Sequence, residues 1–294
     1  MKLQGIFPAL TSSFDHEGNL YKAKVFHNVE KFNQVGLSGY TVCGSTGETP
    51  LLSTDERLQL MEWVREATPE GKTLIAGVGA ESVHETVRVA NLAADIGYHV
   101  ALALTPFYYR GQMHRPDTQA LFFRAVADRS KIPVMLYNIP QVTGYALPAE
   151  TIAELSHHPN IIGMKDSSGD LEKIKTVVPM VKPGFQVLSG SGTGFWDAIN
   201  AGATGAILAI ANALPYACVT AWEAFRTREF EAGADWQARI IPAAKLIATK
   251  YGIPGLKHAM DLNGYYGGIP RLPFIPPSAE GRAEIEQVFD GLRS

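Results

Sequence analysis

Short runs of β-branched and apolar residues, each bounded by glycine or proline and followed by a longer stretch of helical period, recur along most of the chain. Eight of them read as strands, at residues 5–10, 39–43, 73–78, 100–105, 133–138, 161–165, 186–189 and 205–210. Their starts lie about 20 to 35 residues apart, the rhythm of strand, helix and loop in a parallel α/β fold. The intervening segments carry helix signals of their own. Ser53 with Glu56 and Ser82 with Glu85 both fit a capping box, in which a hydroxyl and a carboxylate three residues apart satisfy orphan backbone donors. Leu58, Met61 and Val64 form the apolar stripe of the first helix. Val83, Val87, Ala90 and Ala94 form that of the second, which Gly97 stops. Pro148 opens another helix, ahead of Ile152 and Leu155.

Eight strands alternating with helices over some 230 residues match a (β/α)8 TIM barrel, although a doubly wound open sheet also satisfies the alternation. The barrel is favoured. An open sheet of this class usually carries a glycine-rich dinucleotide fingerprint after its first strand, and here that strand runs into Pro8-Ala9-Leu10-Thr11-Ser12. Past Leu214 the pattern is helical to the end, with Trp222 and Phe225, then Ile240, Ala244 and Ile247, and with a break expected at Tyr251-Gly252-Ile253-Pro254-Gly255. The expected organisation is a catalytic barrel over residues 1–230 and a helical extension packed on it over 231–294.

Composition narrows the function classes. A net charge of -3 without a basic run argues against nucleic acid and anionic membrane surfaces. Two cysteines, Cys43 and Cys218, make neither a disulfide framework nor a metal quartet. The N-terminus has no long apolar run, and no stretch approaches 18 apolar residues. A cytoplasmic protein acting on a small molecule is the expectation.

Candidate chemistry centres on Lys165, which ends the apolar run Ile161-Ile162-Gly163-Met164. A lysine there either snorkels to water or is a desolvated nucleophile, whose pKa must fall from about 10.4 by roughly three units, or about 4 kcal/mol. The other strand ends offer partners. Gly44-Ser45-Thr46-Gly47-Glu48 is a tight turn able to hold an anion, or an ordinary capped turn; it lacks the ending of a P-loop. Tyr108 follows strand four and Tyr137 ends strand five, either able to shuttle protons or simply to pack. Gly190-Ser191-Gly192-Thr193-Gly194 after strand seven is a second, weaker anion loop. No His/Cys/Asp set has metal spacing, and Ser45 lies in no nucleophile elbow, which disfavours zinc aldolases and serine hydrolases.

Four of these stretches, Gly44-Ser45-Thr46-Gly47-Glu48, Thr105-Pro106-Phe107-Tyr108, Tyr137-Asn138-Ile139-Pro140 and Gly163-Met164-Lys165-Asp166, resemble in order the signatures of the dihydrodipicolinate synthase and N-acetylneuraminate lyase family. The resemblance implies a (β/α)8 barrel with a C-terminal helical extension. It also implies a homotetramer built as a dimer of dimers, and class I aldolase chemistry with no cofactor beyond a covalent Schiff base with pyruvate. Position by position, it makes Lys165 the Schiff-base lysine and Tyr137 the proton-relaying phenol. Ser45 and Thr46 become the hydroxyls that bind the pyruvate carboxylate and continue the relay. Tyr108 becomes a tyrosine lent by a neighbouring subunit, and Gly190 and Ile207 part of the pyruvate pocket.

Two departures bear on the substrate. The synthases of that family carry an arginine where Val142 stands, and an apolar side chain cannot grip a substrate carboxylate. Sialate lyases carry an acidic pair where Gly192 and Thr193 stand. The stretches around Tyr108, Lys165 and Tyr251 look closest to the 4-hydroxy-2-oxoglutarate aldolase branch, in which Ser167 lies in the active site. The leading expectation is therefore cleavage or condensation of a 4-hydroxy-2-oxo acid. The alternatives are dihydrodipicolinate synthase activity, with a group such as Arg110 replacing the missing arginine, and a sugar-phosphate or non-catalytic 2-oxo acid binding barrel.

Overall fold

All eight expected strands form: β1 Gly5–Pro8, β2 Gly39–Val42, β3 Thr73–Gly77, β4 Val100–Leu104, β5 Val134–Asn138, β6 Ile161–Asp166, β7 Gln186–Ser189 and β8 Gly205–Leu208. The computed structural model describes residues 1–292, so the last two positions of the expected extension, 293 and 294, lie outside the described residues. The strands pair in parallel in the order β1-β8-β7-β6-β5-β4-β3-β2. A single parallel bridge, Ala9 to Thr41, with Leu10 N–H donating to the Thr41 carbonyl at 2.8 Å, joins β1 to β2. The sheet therefore closes into a barrel, and the open-sheet alternative falls away.

Side-chain alternation along the strands makes two apolar cores. Phe7, Ile75, Leu102, Met135, Leu188 and Ile207 fill the barrel interior. A larger cluster, including Val42, Leu74, Leu136 and Val187 from the strands, packs against the outer helices. Capping explains where those helices start. The helix Thr54–Ala67 has a complete box between Ser53 and Glu56. In Val83–Ile96, Ser82 accepts from the Glu85 N–H, but the Glu85 carboxylate turns to Arg88. That box is half made, because a guanidinium outbids a backbone amide for the carboxylate. The buried stripe of this helix also differs from the expected one: Thr86, Val89, Ala90 and Ala93 face inward, while Val83, Val87 and Ala94 sit at its edge. A threonine whose hydroxyl donates to the Ala80 carbonyl takes a core position that hydropathy alone assigns to valine.

Beyond β8 the chain continues through helices Pro215–Thr227, Phe230–Lys245, Gly252–Leu262 and Ala279–Phe289. The expected break at residues 251–255 forms at Gly252. The helix Phe230–Lys245 runs on through one π-helical turn, Leu246–Tyr251, and Gly252, at φ 58° and ψ -149°, leaves helical backbone before the next helix. Pro254 is tolerated there because it falls in the first turn, where no backbone donor is needed. A second, longer interruption runs over residues 263–278, which are not helical and carry three glycines and four prolines. Among the described residues no helix is long and apolar enough to cross a membrane.

Candidate active site

Strict alternation would turn Lys165 away from the barrel. Ile161 packs toward the helices and Ile162 toward the interior, so Met164 should follow Ile162 inward and Lys165 should point out. The structure does the reverse, because the pairing of β5 with β6 slips by one residue. Val134 pairs with Ile161, Met135 with Gly163, and Tyr137 with Lys165. The extra residue re-aims the rest of β6, as a β-bulge does. Gly163 suits this position because a Cβ there would run into the Gln186 backbone carbonyl.

Lys165 is thereby buried, at 4% exposure, with its Nζ 4.3 Å from the centre of the Tyr137 ring. It makes no ion pair among the described residues. On the other side of the phenol stands the Ser45 hydroxyl, 3.5 Å from the Tyr137 oxygen. Burial drives the Tyr137 pKa upward, but the Lys165 charge and hydrogen bonds from Ser45, Ser167 and Lys165 outweigh it. The net shift is below the ordinary value of 10.0. Ser45 opens the short 3-10 turn Ser45–Gly47. Cys43 and Glu48 bracket that turn, and both hold left-handed backbone, at φ 56° and 57°. Such conformations in non-glycine residues persist only where surroundings impose them. Thr46 shares the turn but makes no side-chain hydrogen bond among the described residues. Cys43 is no competing nucleophile, since burial pushes its thiol up to about 12.

Ser167 and Gly190 complete the pocket floor. A Cβ on Gly190 would strike the Ser167 hydroxyl and lie 2.9 Å from Lys165 Cε, so glycine is what lets the lysine and the serine stand side by side. Ile207 lies on the interior wall with Tyr137 and Leu188. Behind Lys165, on the outer face of β6, Asp166 accepts from the Asn138 side-chain amide at 2.7 Å, from the Ser168 N–H at 2.9 Å and from the Ser168 hydroxyl. Asn138 in turn accepts from the Leu147 N–H at 2.9 Å. This buried network ties the ends of β5 and β6 together and holds Tyr137 beside Lys165. Sequence reading passed over both residues, although their place directly after Tyr137 and Lys165 was a signal. A cavity of about 280 Å³ opens from Ser45 and Tyr137 toward Thr49, Glu81, Leu104 and Thr105.

A family model described as the dihydrodipicolinate synthetase family matches residues 2–291. The chain belongs to the dihydrodipicolinate synthetase family. It is 32% identical over 289 residues to the 4-hydroxy-tetrahydrodipicolinate synthase of Methanothrix thermoacetophila, covering 97% of this chain and 96% of that one. It is 34% identical over 292 residues to a protein of Emericella nidulans named probable 4-hydroxy-2-oxoglutarate aldolase, mitochondrial, covering 97% and 93%. Among solved structures, dihydrodipicolinate synthase DapA-2 from Bacillus anthracis superposes with a TM-score of 0.95 at 24% identity, over 100% of both chains, which establishes the shared fold. The chain is accordingly a pyruvate-dependent class I aldolase of this family.

The remaining candidates of this family member fall outside the core of the site. Tyr108 is 75% exposed, with its N–H on Glu81 and its ring edge-on to Tyr109, and does not reach Tyr137 within one chain. Val142 is 49% exposed on the short helix Pro140–Thr143. Next to that helix the Arg110 guanidinium packs against Gly144. The strand-seven loop borders a cavity of about 210 Å³ that Asp166, Asp170 and Asp197 also line. Three carboxylates repel a phosphate, and the sugar-phosphate reading loses its support there.

Proposed function

We propose that Lys165 forms a Schiff base with pyruvate and that the enzyme makes or breaks the bond between the pyruvate C3 carbon and an aldehyde carbon. The observation that carries this reading is the buried Lys165 amine over the Tyr137 ring, with Ser45 at the phenol. Tyr137, as the phenolate, takes one proton from the lysine ammonium, so that the free amine attacks the C2 carbonyl, and the phenol then gives that proton to the carbinolamine hydroxyl, which leaves as water. The resulting iminium withdraws the electron pair of the C3–C4 bond on cleavage, or yields a C3 enamine that attacks an aldehyde on condensation. Ser45 and Thr46 hold the carboxylate of the 2-oxo acid, which presents C2 to the amine.

For the aldehyde partner, the relatives favour condensation of pyruvate with aspartate semialdehyde. Relatives named as 4-hydroxy-tetrahydrodipicolinate synthases span almost the whole chain at about the same identity as the aldolase relative, and outnumber it. This reverses the order expected from sequence, where 4-hydroxy-2-oxoglutarate cleavage came first. The position of Arg110 beside Gly144 supports the same choice, since it brings a guanidinium to the loop that lacks an arginine at Val142. The 2-oxoglutarate reading keeps two observations in its favour, Val142 itself and the Emericella nidulans relative.

Borohydride added with pyruvate is expected to leave a stable adduct on Lys165, absent in Lys165→Ala; an unmodified lysine removes the mechanism. Rates with pyruvate plus aspartate semialdehyde, set against pyruvate release from 4-hydroxy-2-oxoglutarate, then decide between the two substrates.

A further inference from the structure

The aldolase chemistry makes no use of a second buried lysine. Lys257 lies on the helix Gly252–Leu262, and its side chain and that of Glu48 are both 0% exposed, with Nζ 2.6 Å from Glu48 Oε1. The same ammonium donates to the Ile269 carbonyl at 2.9 Å and lies 4.5 Å from the centre of the Phe14 ring. The other carboxylate oxygen of Glu48 accepts the Arg271 backbone N–H at 2.8 Å. Both partners of this carboxylate thus come from the C-terminal extension. Arg271 adds an outer clamp. Its guanidinium pairs with both oxygens of Glu56, at 2.8 and 2.6 Å, and also donates to the Leu51 and Gly18 carbonyls.

We infer that Lys257 is a positioning residue for the Ser45–Gly47 turn, acting through Glu48. Burying an ion pair costs desolvation that apolar packing avoids, so its presence calls for a positional reason. That reason is the backbone of Glu48. It is the residue that closes the turn, its N–H donates to the Ser45 carbonyl at 3.1 Å, and it sits in the left-handed region at φ 57°. A glutamate gains nothing from that conformation by itself. Anchoring its carboxylate from two sides holds the backbone there, and with it the Ser45 hydroxyl against Tyr137. The extension is therefore part of the apparatus that grips the substrate carboxylate, an inference that rests on the role assigned above to Ser45 and Thr46.

The test reads borohydride trapping on Lys165 as a function of pyruvate concentration, alongside melting temperature. Because Lys257→Met alone leaves a buried unpaired carboxylate, the informative variant is Glu48→Gln combined with Lys257→Met, which removes both charges. The folded double variant is expected to need about tenfold more pyruvate for half-maximal trapping, the loss of one weakened charge-assisted contact. Trapping of acetone, which has no carboxylate, should keep the wild-type concentration dependence. An unchanged half-saturation for pyruvate in the folded variant, or an equal loss with acetone, overturns the inference. If the double variant does not fold, Glu48→Gln alone, which removes the charge facing Lys257 and keeps an oxygen for the Arg271 N–H, decides by the same measurement, with a rise of about threefold or more expected and no change overturning it. A wild-type chain that takes no pyruvate adduct overturns the functional reading itself, before any variant is compared.

Discussion

Tyr137 stands between opposed influences on its acidity. Burial alone would hold the phenol protonated past pH 10, as it does for Tyr40 and Tyr98, both raised well above the ordinary value. The neighbouring Lys165 charge and three hydrogen bonds reverse the sign. Two results follow. In a wild-type minus Tyr137→Phe difference spectrum, tyrosinate absorbance should grow in below pH 10, and Lys165→Ala should move that titration upward, because burial remains while the cation is gone. A titration that ignores the lysine would show that the two groups do not share protons. Turnover in Tyr137→Phe should fall by roughly two to four decades, the usual contribution of one general acid/base; a loss under about threefold would count against its role. Both residues were legible as polar groups ending apolar runs. Their separation and their mutual effect on acidity were not, since these depend on strand pairing.

Among the elements, β6 shows the limit of periodicity. The apolar run located the strand correctly, yet counting alternately from Ile162 aims Lys165 at the helices, and only the slip at Gly163 turns it inward. Gly163→Val would press a side chain onto the Gln186 carbonyl, a backbone atom that cannot step aside. A loss of about 1–3 kcal/mol in chemical denaturation is expected, together with loss of the Lys165 adduct. Gly190→Ala acts at the reacting groups themselves, because its Cβ meets Ser167 Oγ, Ser167 Cβ and Lys165 Cε. It should displace Ser167 and Lys165 Cε, lowering the trapping rate by at least about tenfold in the folded variant. Wild-type trapping in that variant would show the pocket floor to be more yielding than its packing implies.

For the whole molecule, the C-terminal extension does more than cover the barrel. Lys257→Met leaves Glu48 buried beside an apolar group, and breaking such a pair costs about 3–5 kcal/mol, to be read as a fall in melting temperature much larger than that of the neutral double variant. Tyr108 and Tyr109 lie exposed at the barrel mouth, and the homotetramer proposed on family resemblance would cover them. Sedimentation should report four copies of the 31.9 kDa chain. A monomer with full turnover would leave Tyr108 no role in a neighbouring site.

The sequence by itself determined the strand count, the alternation of strand and helix and the polar groups at the strand ends, because those rest on local patterns of burial and turn formation within about 20 to 35 residues. Closure of the sheet into a barrel came instead from the pairing of β1 with β8 and β2. The break expected from sequence at residues 251–255 is found at Gly252, while the expected stripe on the helix Val83–Ile96 missed because hydropathy does not register a satisfied threonine. Only the tertiary structure decided which way Lys165 points, that Asn138 and Asp166 lock two strand ends, and that Glu48 answers to Lys257 and Arg271. Each of these depends on contacts between residues far apart in the chain, where neither partner's own neighbourhood encodes the other.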